Sequence, residues 1–407
     1  MKRPLEGIKV LDFSHGVAAP YTAMLLGDMG CDVVKVEQPE RGDSTRYMNV
    51  AERFVTEIPR VGGDYFLAIS RNKRSVCIDL KKPEGVELCR RLAQWADIAV
   101  QSFRPGVMKR LGLDYEALRA VNPRLLYASL SAYGQDGPLA DKPGMDVAVQ
   151  ARSGLMRLTG ARGSTEPVRP GASMADFAGG IYLYAAIATG LYHRERTGEG
   201  QEIRVSLMDA TMSMLINYSV AVMDGGAQLN PVGSGHPQLV PYQAFPTADG
   251  YVVIGAGTNK TFRELCACLG CETFAQDPRF RSNQDRVRNR DALIPLLEPL
   301  TRKKTTAEWL DLFDRADIPA APVNELPTAY RQLQETSPDM VQAVQHPVAG
   351  ELHLLGVPFK FSASGGDIRR APPLLGEHTE EVLSGVLGLP AEEIARLREK
   401  KVIGGAP

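Results

Sequence analysis

Asp176 is the residue best placed in this sequence to do chemistry. It lies in the segment 168–180, just before a predicted long apolar helix, and Gly179 and Gly180 follow within the expected first turn. The unpaired N–H groups of a helix start stabilise a carboxylate and any anion that forms beside it, so this position suits a carboxylate nucleophile. Asp176 could instead serve only as an N-cap. The glycines fit equally the approach of a bulky ligand or tight helix packing, and the sequence alone leaves both questions open.

Four charged clusters offer a second kind of chemistry, the binding of phosphate. They are predicted to lie in loops after strands or at helix starts, along one edge of a sheet: Glu37–Asp43, Arg71–Ser75, Lys81–Lys82 and Arg104–Arg110. Arg and Lys side chains that converge at such an edge could hold the phosphates of a ligand. Taken singly, each cluster is more typical of a solvated surface, so only the shared placement favours phosphate.

Other chemistries lack their usual residue patterns. The segment Ser14–Pro20, which should join the first strand to the first helix, has none of the spaced glycines of a nicotinamide or flavin site. No Gly-x-Ser-x-Gly motif lies near a strand-to-helix turn, so His15 is interpreted as a structural hydrogen bonder. Cys266, Cys268 and Cys271 fall in a predicted helical pattern and are interpreted as buried or half-buried thiols. The six histidines are scattered, and we therefore expect no metal site.

The first half of the chain alternates strands and helices. Strands are predicted at Ile8–Phe13, Cys31–Glu37, Asp97–Gln101, Arg124–Leu130 and Glu202–Leu207, and helices at Ala18–Gly30, Pro83–Trp95 and near Val107. This alternation predicts an α/β fold with a mainly parallel sheet covered by helices. A Gly- and Pro-rich stretch follows, and Ala248 opens what is predicted to be a smaller domain.

Length and charge limit the classes of protein to which the chain can belong. A chain of 407 residues exceeds what one hydrophobic core usually serves, so two domains are expected. The 47 Lys and Arg residues balance 48 Asp and Glu residues, which leaves no basic surplus for nucleic acid or anionic lipid. The first residues lack the apolar core of a signal peptide, and no run approaches the ~20 apolar residues of a membrane span. We expect a cytoplasmic protein.

A set of ordered motifs resembles the family III CoA-transferases, the CaiB/BaiF type, along nearly the whole chain. The motifs are Val10–Phe13, Leu26–Gly30, Val34–Pro39, Gly42–Asp43, Asn72–Ser75, Tyr133–Pro138, Val168–Gly171 with Asp176, Arg196–Gln201 and Pro373–His378. The resemblance implies an interlocked, ring-like homodimer in which each chain threads through the other. It also implies a Rossmann-like large domain from 1–205 and 329–407, a linker at 206–245 and a smaller α+β domain at 246–328.

The resemblance further implies a site. The family's catalytic aspartate falls on Asp176, and coenzyme A is a substrate, with no metal and no permanently bound cofactor. Phe103 would pack against adenine, while Lys81 and Arg110 would meet phosphates. The CoA-contacting positions carried over to this chain are Val17, Ala18, Gln38, Ile78, Asp79, Leu80, Lys81, Ser102, Phe103, Arg104, Arg110, Lys142 and Met145. Asp176 would attack an acyl-CoA, form an aspartyl-CoA thioester and pass CoA to an acceptor carboxylate.

The segment Gly233–Phe245 favours one branch of the family. It replaces the glycine run of formyl-CoA transferases and, with Gly255–Gly257 and Asn259, is similar to enzymes that act on succinyl-CoA and dicarboxylates. The same-fold alternative is an α-methylacyl-CoA racemase, which needs a His and a Glu besides the Asp. Met145 and Asn259 stand in their places, which disfavours racemisation. An acyl-CoA-binding protein without catalysis is a third hypothesis.

Overall fold

A six-stranded parallel sheet is the largest sheet among the described residues. The computed structural model describes residues 2–51 and 58–405. The strands of this sheet are β1 (Lys9–Asp12), β2 (Asp32–Glu37), β3 (Lys73–Cys77), β4 (Ile98–Gln101), β5 (Leu126–Ser131) and β6 (Gln201–Ser206). They lie in the order β3-β2-β1-β4-β5-β6, and each neighbouring pair is parallel. The chain therefore has the mixed α/β fold that its strand and helix alternation predicts.

Smaller antiparallel pairings follow later in the chain. Strands β7 (Tyr242–Pro246), β8 (Tyr251–Gly255) and β9 (Ala320–Pro322) form a three-stranded antiparallel sheet, and β10 (Val341–His346) pairs with β11 (Gly350–Leu355) as a hairpin. Short 3₁₀ helices lie at Ser44–Tyr47, Ile216–Tyr218 and Pro338–Met340.

Helices connect and cover these strands. They are α1 (Ala18–Asp28), α2 (Asp64–Ile69), α3 (Pro83–Trp95), α4 (Val107–Leu111), α5 (Tyr115–Arg119), α6 (Asp146–Arg152), α7 (Leu155–Leu158), α8 (Met174–Thr197), α9 (Leu207–Met214), α10 (Ser219–Met223), α11 (Asn259–Leu269), α12 (Glu272–Gln276), α13 (Asn283–Arg288), α14 (Arg290–Thr301), α15 (Thr306–Arg315), α16 (Leu326–Thr336), α17 (Thr379–Gly385) and α18 (Ala391–Glu399). Local chemistry explains several starts. Pro83 occupies the first turn of α3, and capping boxes on Ser282 and Thr305 begin α13 and α15.

The described chain divides into two compact units. The large unit comprises the described parts of Met1–Ser153, Pro170–Asp224 and Leu333–Pro407. The small unit comprises Gly154–Arg169 and Gly225–Gln332. The stretch 206–245, predicted as a linker, is shared between these units and contains helices α9 and α10.

Both faces of the parallel sheet are buried in the large unit. One face packs against α3 and α5 and against residues from the end of the chain, among them Val382, Leu383 and Ile403. Ile403 also forms an antiparallel bridge with Ile78, just beyond β3. The other face packs against α1 and α8, through residues such as Leu26 and Leu183. Strands buried on both faces explain the apolar runs of the sequence.

Helix α8 is by length and composition apolar enough to cross a membrane. In the large unit it packs against α1, α9 and the sheet, and Leu183 and Ile187 lie in the core. One side of the helix therefore has partners within the large unit, while Ile181 and Tyr192 are exposed.

The small unit has its own core. It forms around β7 and β8 and helices α11, α14 and α15, with Phe245, Phe262, Phe280 and Phe313 fully buried. Cys266 and Cys271 are buried in it and Cys268 is half-buried, as the helical pattern predicts.

One cluster predicted to lie in a loop was placed wrongly. Residues Lys73–Cys77 form β3, and every residue of the strand is buried. Arg71 pairs with Asp28 at 2.8 Å, and Arg74 pairs with Asp32 at 2.6 Å. These cations lie before or at the start of the strand, so they are not at the edge where the other three clusters follow strand ends. The charged residues of β3 prevented its prediction as a strand, because their partners come from other segments of the chain.

Candidate active site

Asp176 lies in the first turn of α8, at the third helical position after the N-cap Ser173. The helix therefore begins earlier than predicted, and Asp176 is not its N-cap. Asp146, at the start of α6, accepts hydrogen bonds from the backbone N–H groups of Ala175 (2.9 Å) and Asp176 (3.4 Å). A carboxylate from another helix thus satisfies first-turn donors, and this long-range partner explains why no capping box appears in the local sequence.

The glycines of α8 serve tight packing. A Cβ at Gly179 would lie 2.5 Å from a methyl carbon of Leu207, and a Cβ at Gly180 would lie 2.7 Å from the backbone oxygen of Ala18. The hydroxyl of Thr22 donates to the Gly180 carbonyl at 2.8 Å. Close approach of α1 and α9 therefore accounts for both glycines, which lie in the second turn rather than the first.

A cavity of about 470 Å³ opens where β1, β2, β3 and β4 end. Carboxyl ends of parallel strands are the usual place for ligands in α/β folds. Its walls include six positions predicted to contact CoA: Gln38, Ile78, Asp79, Leu80, Lys81 and Phe103. The walls also include Glu37 and Asp43 of the first charged cluster, and Ser14, His15 and Lys35, which were not predicted to bind a ligand.

His15 joins two of the cavity's walls. Its ring lies 4.9 Å from the ring of Phe103. Its backbone N–H donates to the Ser102 hydroxyl at 2.9 Å, and that hydroxyl donates back to the His15 carbonyl at 3.0 Å. Burial lowers the pKa of His15, with partial compensation from Asp43. The predicted structural role is consistent with these bonds, but His15 also borders the cavity directly.

Buried charges form the floor of the cavity. Lys35 contacts Asp43 at 2.9 Å, and Arg46 contacts Glu37 at 2.7 Å. Burial would raise the pKa of Asp43, but Lys35 and hydrogen bonds from Thr45 lower it to about 2. Burial would lower the pKa of Lys35, but Asp43, Asp12 and Glu37 raise it above its usual range. The floor is therefore ionised at neutral pH. A lysine inside the apolar strand β2 was the sequence signal for it.

Four other predicted CoA contacts, Val17, Ala18, Lys142 and Met145, lie outside the lining of the 470 Å³ cavity. Val17 is the N-cap of α1 and Ala18 its first residue, shortly after His15, and Ala18 touches α8 at Gly180, one turn beyond Asp176. Met145 directly precedes Asp146 and is 67% exposed. Lys142 is exposed in the same loop. The segment before α6 thus approaches the first turn of α8 through Asp146.

Arg104 and Arg110 stand apart from the walls of the 470 Å³ cavity. Arg104 borders a second, polar cavity of about 450 Å³ on the other side of α4, together with Lys109 and Tyr127. Arg110 is exposed on α4, and its guanidinium lies near Gly106. Asp176 is likewise outside the described lining of the 470 Å³ cavity. It connects to that lining through Ala18 and the start of α1.

Comparisons with known proteins identify the family of this chain. A model of CoA-transferase family III matches residues 5–379. A succinyl-CoA:glutarate CoA-transferase from Mus musculus is 37% identical over 95% of this chain and 87% of its own length. A succinate–glutarate CoA-transferase from Agrobacterium fabrum is 34% identical over 94% of this chain and 96% of its own length.

A solved structure is similar along the same length. A CaiB/BaiF family protein from Brucella suis superposes with a TM-score of 0.83 at 34% identity, covering 95% of this chain and 100% of that one. The resemblance found in the motifs is therefore confirmed. The chain belongs to CoA-transferase family III and is an enzyme of the transferase class.

Proposed function

We propose that this protein moves CoA from an acyl-CoA, above all succinyl-CoA, to a free dicarboxylate such as glutarate. The family match and the names of the mouse and Agrobacterium relatives support this reaction. The observation that carries it is the placement of Asp176. A carboxylate in the first turn of α8 lies one turn from the contact with α1, and α1 begins beside the cavity at the strand ends.

CoA occupies the 470 Å³ cavity in this proposal. Phe103 packs against adenine, and Lys81 and Arg110 meet phosphates. Val17, Ala18, Ser102 and the loop before α6 guide the pantetheine arm toward Asp176. The remaining contacts are those predicted at Gln38, Ile78, Asp79, Leu80, Arg104, Lys142 and Met145. The cavity's position at four strand ends supports this path.

The chemistry uses one carboxylate twice. Asp176 attacks the donor thioester carbonyl, which releases CoA thiolate and leaves a mixed anhydride. The thiolate then attacks the aspartyl carbonyl, which forms the aspartyl-CoA thioester and releases the donor as a free carboxylate. The acceptor carboxylate repeats these two steps in reverse, and Asp176 is regenerated without net proton transfer. Excluding water keeps the thioester from hydrolysis.

The proposed assembly is an interlocked, ring-like homodimer with a Rossmann-like large domain. The strand order 3-2-1-4-5-6 supports the Rossmann-like description. Apolar side chains on α8 and on the segment after it support a partner chain: Ile181, Tyr192, Ile216, Val220 and Met223 are each more than half exposed. Domain boundaries at 205, 245 and 328 and a cytoplasmic location belong to the same proposal.

The test is transfer by the Asp176→Asn variant. The wild-type protein should convert succinyl-CoA and glutarate into glutaryl-CoA and succinate, and chromatography of the thioesters measures this conversion. The rate of transfer by Asp176→Asn should be more than about 10³-fold lower. Asp209→Asn is the matched control, because Asp209 holds the same third position in the neighbouring helix α9. Mass spectrometry of the wild type with succinyl-CoA should detect CoA attached to Asp176.

Each other hypothesis has its own result. Transfer by Asp176→Asn at the rate of Asp209→Asn would refute the nucleophile. Deuterium exchange at the α-carbon of a 2-methylacyl-CoA without CoA transfer would identify a racemase instead. Tight acyl-CoA binding with neither reaction would identify a binding protein. A panel of other dicarboxylates, each with succinyl-CoA, identifies the acceptor.

A further inference from the structure

Two buried ion pairs lie under the segment that joins the cavity to α8. Lys73 on β3 contacts Asp12 on β1 at 3.3 Å, and Lys35 on β2 contacts Asp43 at 2.9 Å. All four side chains are at most 4% exposed. Burying four ions costs several kcal/mol each before pairing, and apolar residues of equal volume would often stabilise the fold as well. Their retention therefore calls for an account beyond stability.

These charges hold the backbone of Ser14–Pro20 from both ends. The Lys35 ammonium donates to the Ser14 carbonyl at 2.7 Å, and the Lys73 ammonium donates to the Pro20 carbonyl at 2.8 Å. Asp12 accepts from the backbone N–H of Ser14 at 2.9 Å. Asp43 accepts from that of Gly16 at 3.2 Å. Charge-assisted hydrogen bonds of this kind fix geometry more firmly than neutral ones.

The held segment has contacts at both sides of the reaction path. His15 borders the cavity, and Ala18 lies against Gly180 of α8. A shift of Ser14–Pro20 would therefore move the cavity wall relative to the helix that carries Asp176. Attack on a thioester needs reacting atoms about 3–3.5 Å apart, so a displacement of about 1 Å is enough to slow it strongly.

We infer that Lys35 and Lys73 are positioning residues, which set the register between the CoA cavity and Asp176 by holding the backbone of Ser14–Pro20. This inference rests on the proposed CoA transfer at Asp176. Neither lysine takes part in bond making. Both act through backbone carbonyls that frame Val17 and Ala18.

The double variant Lys73→Met with Asp12→Asn tests the inference. It removes one buried ion pair without leaving a lone charge, and the Asn oxygen can still accept from Ser14. Loss of the Pro20 anchor should lower kcat/KM for succinyl-CoA about tenfold to a hundredfold. The Kd for CoA, measured by calorimetry, should rise about tenfold by the same cause.

The matched control is Arg71→Met with Asp28→Asn. This pair is also buried, at 2.8 Å, and lies at the other end of α1. Its loss should lower Tm but leave kcat/KM and the Kd for CoA within about twofold of wild type. Equal losses of kcat/KM in both double variants, or wild-type values for Lys73→Met with Asp12→Asn, would overturn the positioning role. Absence of transfer by the wild-type protein would instead refute the proposed function. The Kd for CoA, measured by calorimetry, would still test whether the lysines position Ser14–Pro20.

The pH dependence of the unmodified protein gives a second test that requires no variant. Burial lowers the pKa of Lys73 to about 8, with Asp12 and Asp43 opposing and Lys35 reinforcing the shift. Lys73 therefore loses its charge above pH 8, and KM for succinyl-CoA should rise there. The double variant should show no such rise between pH 7 and 9. A wild-type KM that stays flat over this range would contradict the inference.

Unfolding does not explain such a rise. Between pH 8 and the usual lysine pKa of 10.5, the unfolded chain binds the Lys73 proton and the folded chain does not. This group alone therefore makes the free energy of unfolding increase with pH in that window. A KM for succinyl-CoA that rises with pH while the free energy of unfolding also rises is therefore the result expected from lost positioning.

Discussion

The two units of this protein bury arginine in different ways. Arg46 of the large unit is fully buried and meets both carboxylate oxygens of Glu37 at 2.7 Å, above the ring of Phe66. Arg286 of the small unit is equally buried, above the ring of Phe262. Among the described residues, its guanidinium donates hydrogen bonds to neutral oxygens, those of Val240, Gly257, Asn259 and Phe280.

The difference separates two physical means of holding a buried cation. A carboxylate partner neutralises the charge, but it adds a second group whose protonation depends on pH. Carbonyl and amide oxygens solvate the charge with dipoles that do not titrate. Burial lowers the pKa of Arg286 to about 10, which still keeps it protonated at neutral pH. We therefore expect the large unit to respond to acid and the small unit's arginine site to be indifferent to it.

The largest effect should come from Arg46→Met. The variant leaves the Glu37 carboxylate buried without its cation, which should lower the free energy of unfolding by about 3–5 kcal/mol at pH 7. The loss should shrink at pH 5, because an unpaired buried carboxylate takes up a proton. Urea unfolding at the two pH values measures both quantities. Arg41→Met, at an exposed position in the same segment between β2 and α2, is the control.

Arg286→Met should have a smaller effect of a different kind. It leaves neutral acceptors unpaired, with an expected loss of about 2–3 kcal/mol. Because none of them titrates, the loss should be the same at pH 5 and pH 8 by urea unfolding. Arg288→Met, on the same helix but 74% exposed, should change stability by less than about 0.5 kcal/mol. A strongly pH-dependent loss at Arg286 would break the contrast between the units.

Acidification of the wild type should give the smallest effect. The pKa of Asp43 is lowered to about 2 from its usual 3.8, so its stabilising contribution is present above pH 3.8 and is lost as pH falls toward 2. Glu37 acts in the same direction, because Arg46 overcomes the effect of burial on its pKa. Asp28 opposes them, since burial raises its pKa. At pH 3 the backbone amides of β2 should therefore exchange hydrogen earlier than those of β8. Earlier exchange in β8 would contradict this prediction.

The sequence carried enough local information for much of the fold. Apolar runs located β1, β2 and β4, and Pro83 marked the first turn of α3. Strand β3 was missed because Lys73 and Arg74 look like surface charges in the sequence, and their partners, buried Asp12 and half-exposed Asp32, lie in other segments. A strand of this kind has no apolar signature of its own.

The candidate site likewise has features that the local sequence predicts and features that depend on long-range contacts. Asp176 was recognisable beside an apolar helix, and the cavity positions followed from a family resemblance. The cap from Asp146, and the floor formed by Lys35 and Asp43, depend on contacts between segments far apart in the chain. Whether Gly180 faced a ligand or a helix was undecided for the same reason, since its neighbour Ala18, whose backbone oxygen would lie 2.7 Å from a Cβ at position 180, is distant in sequence.

The pairing of Ile403 with Ile78 has a consequence for biosynthesis. One face of the sheet that contains β1 is covered by residues between 382 and 403. During synthesis on the ribosome, that face therefore stays exposed until these late residues have been translated. Residues 225–332 emerge earlier and contain most of a core of their own. Translation thus finishes the middle of this enzyme before its beginning, and chaperones have the longest opportunity to bind the first strands.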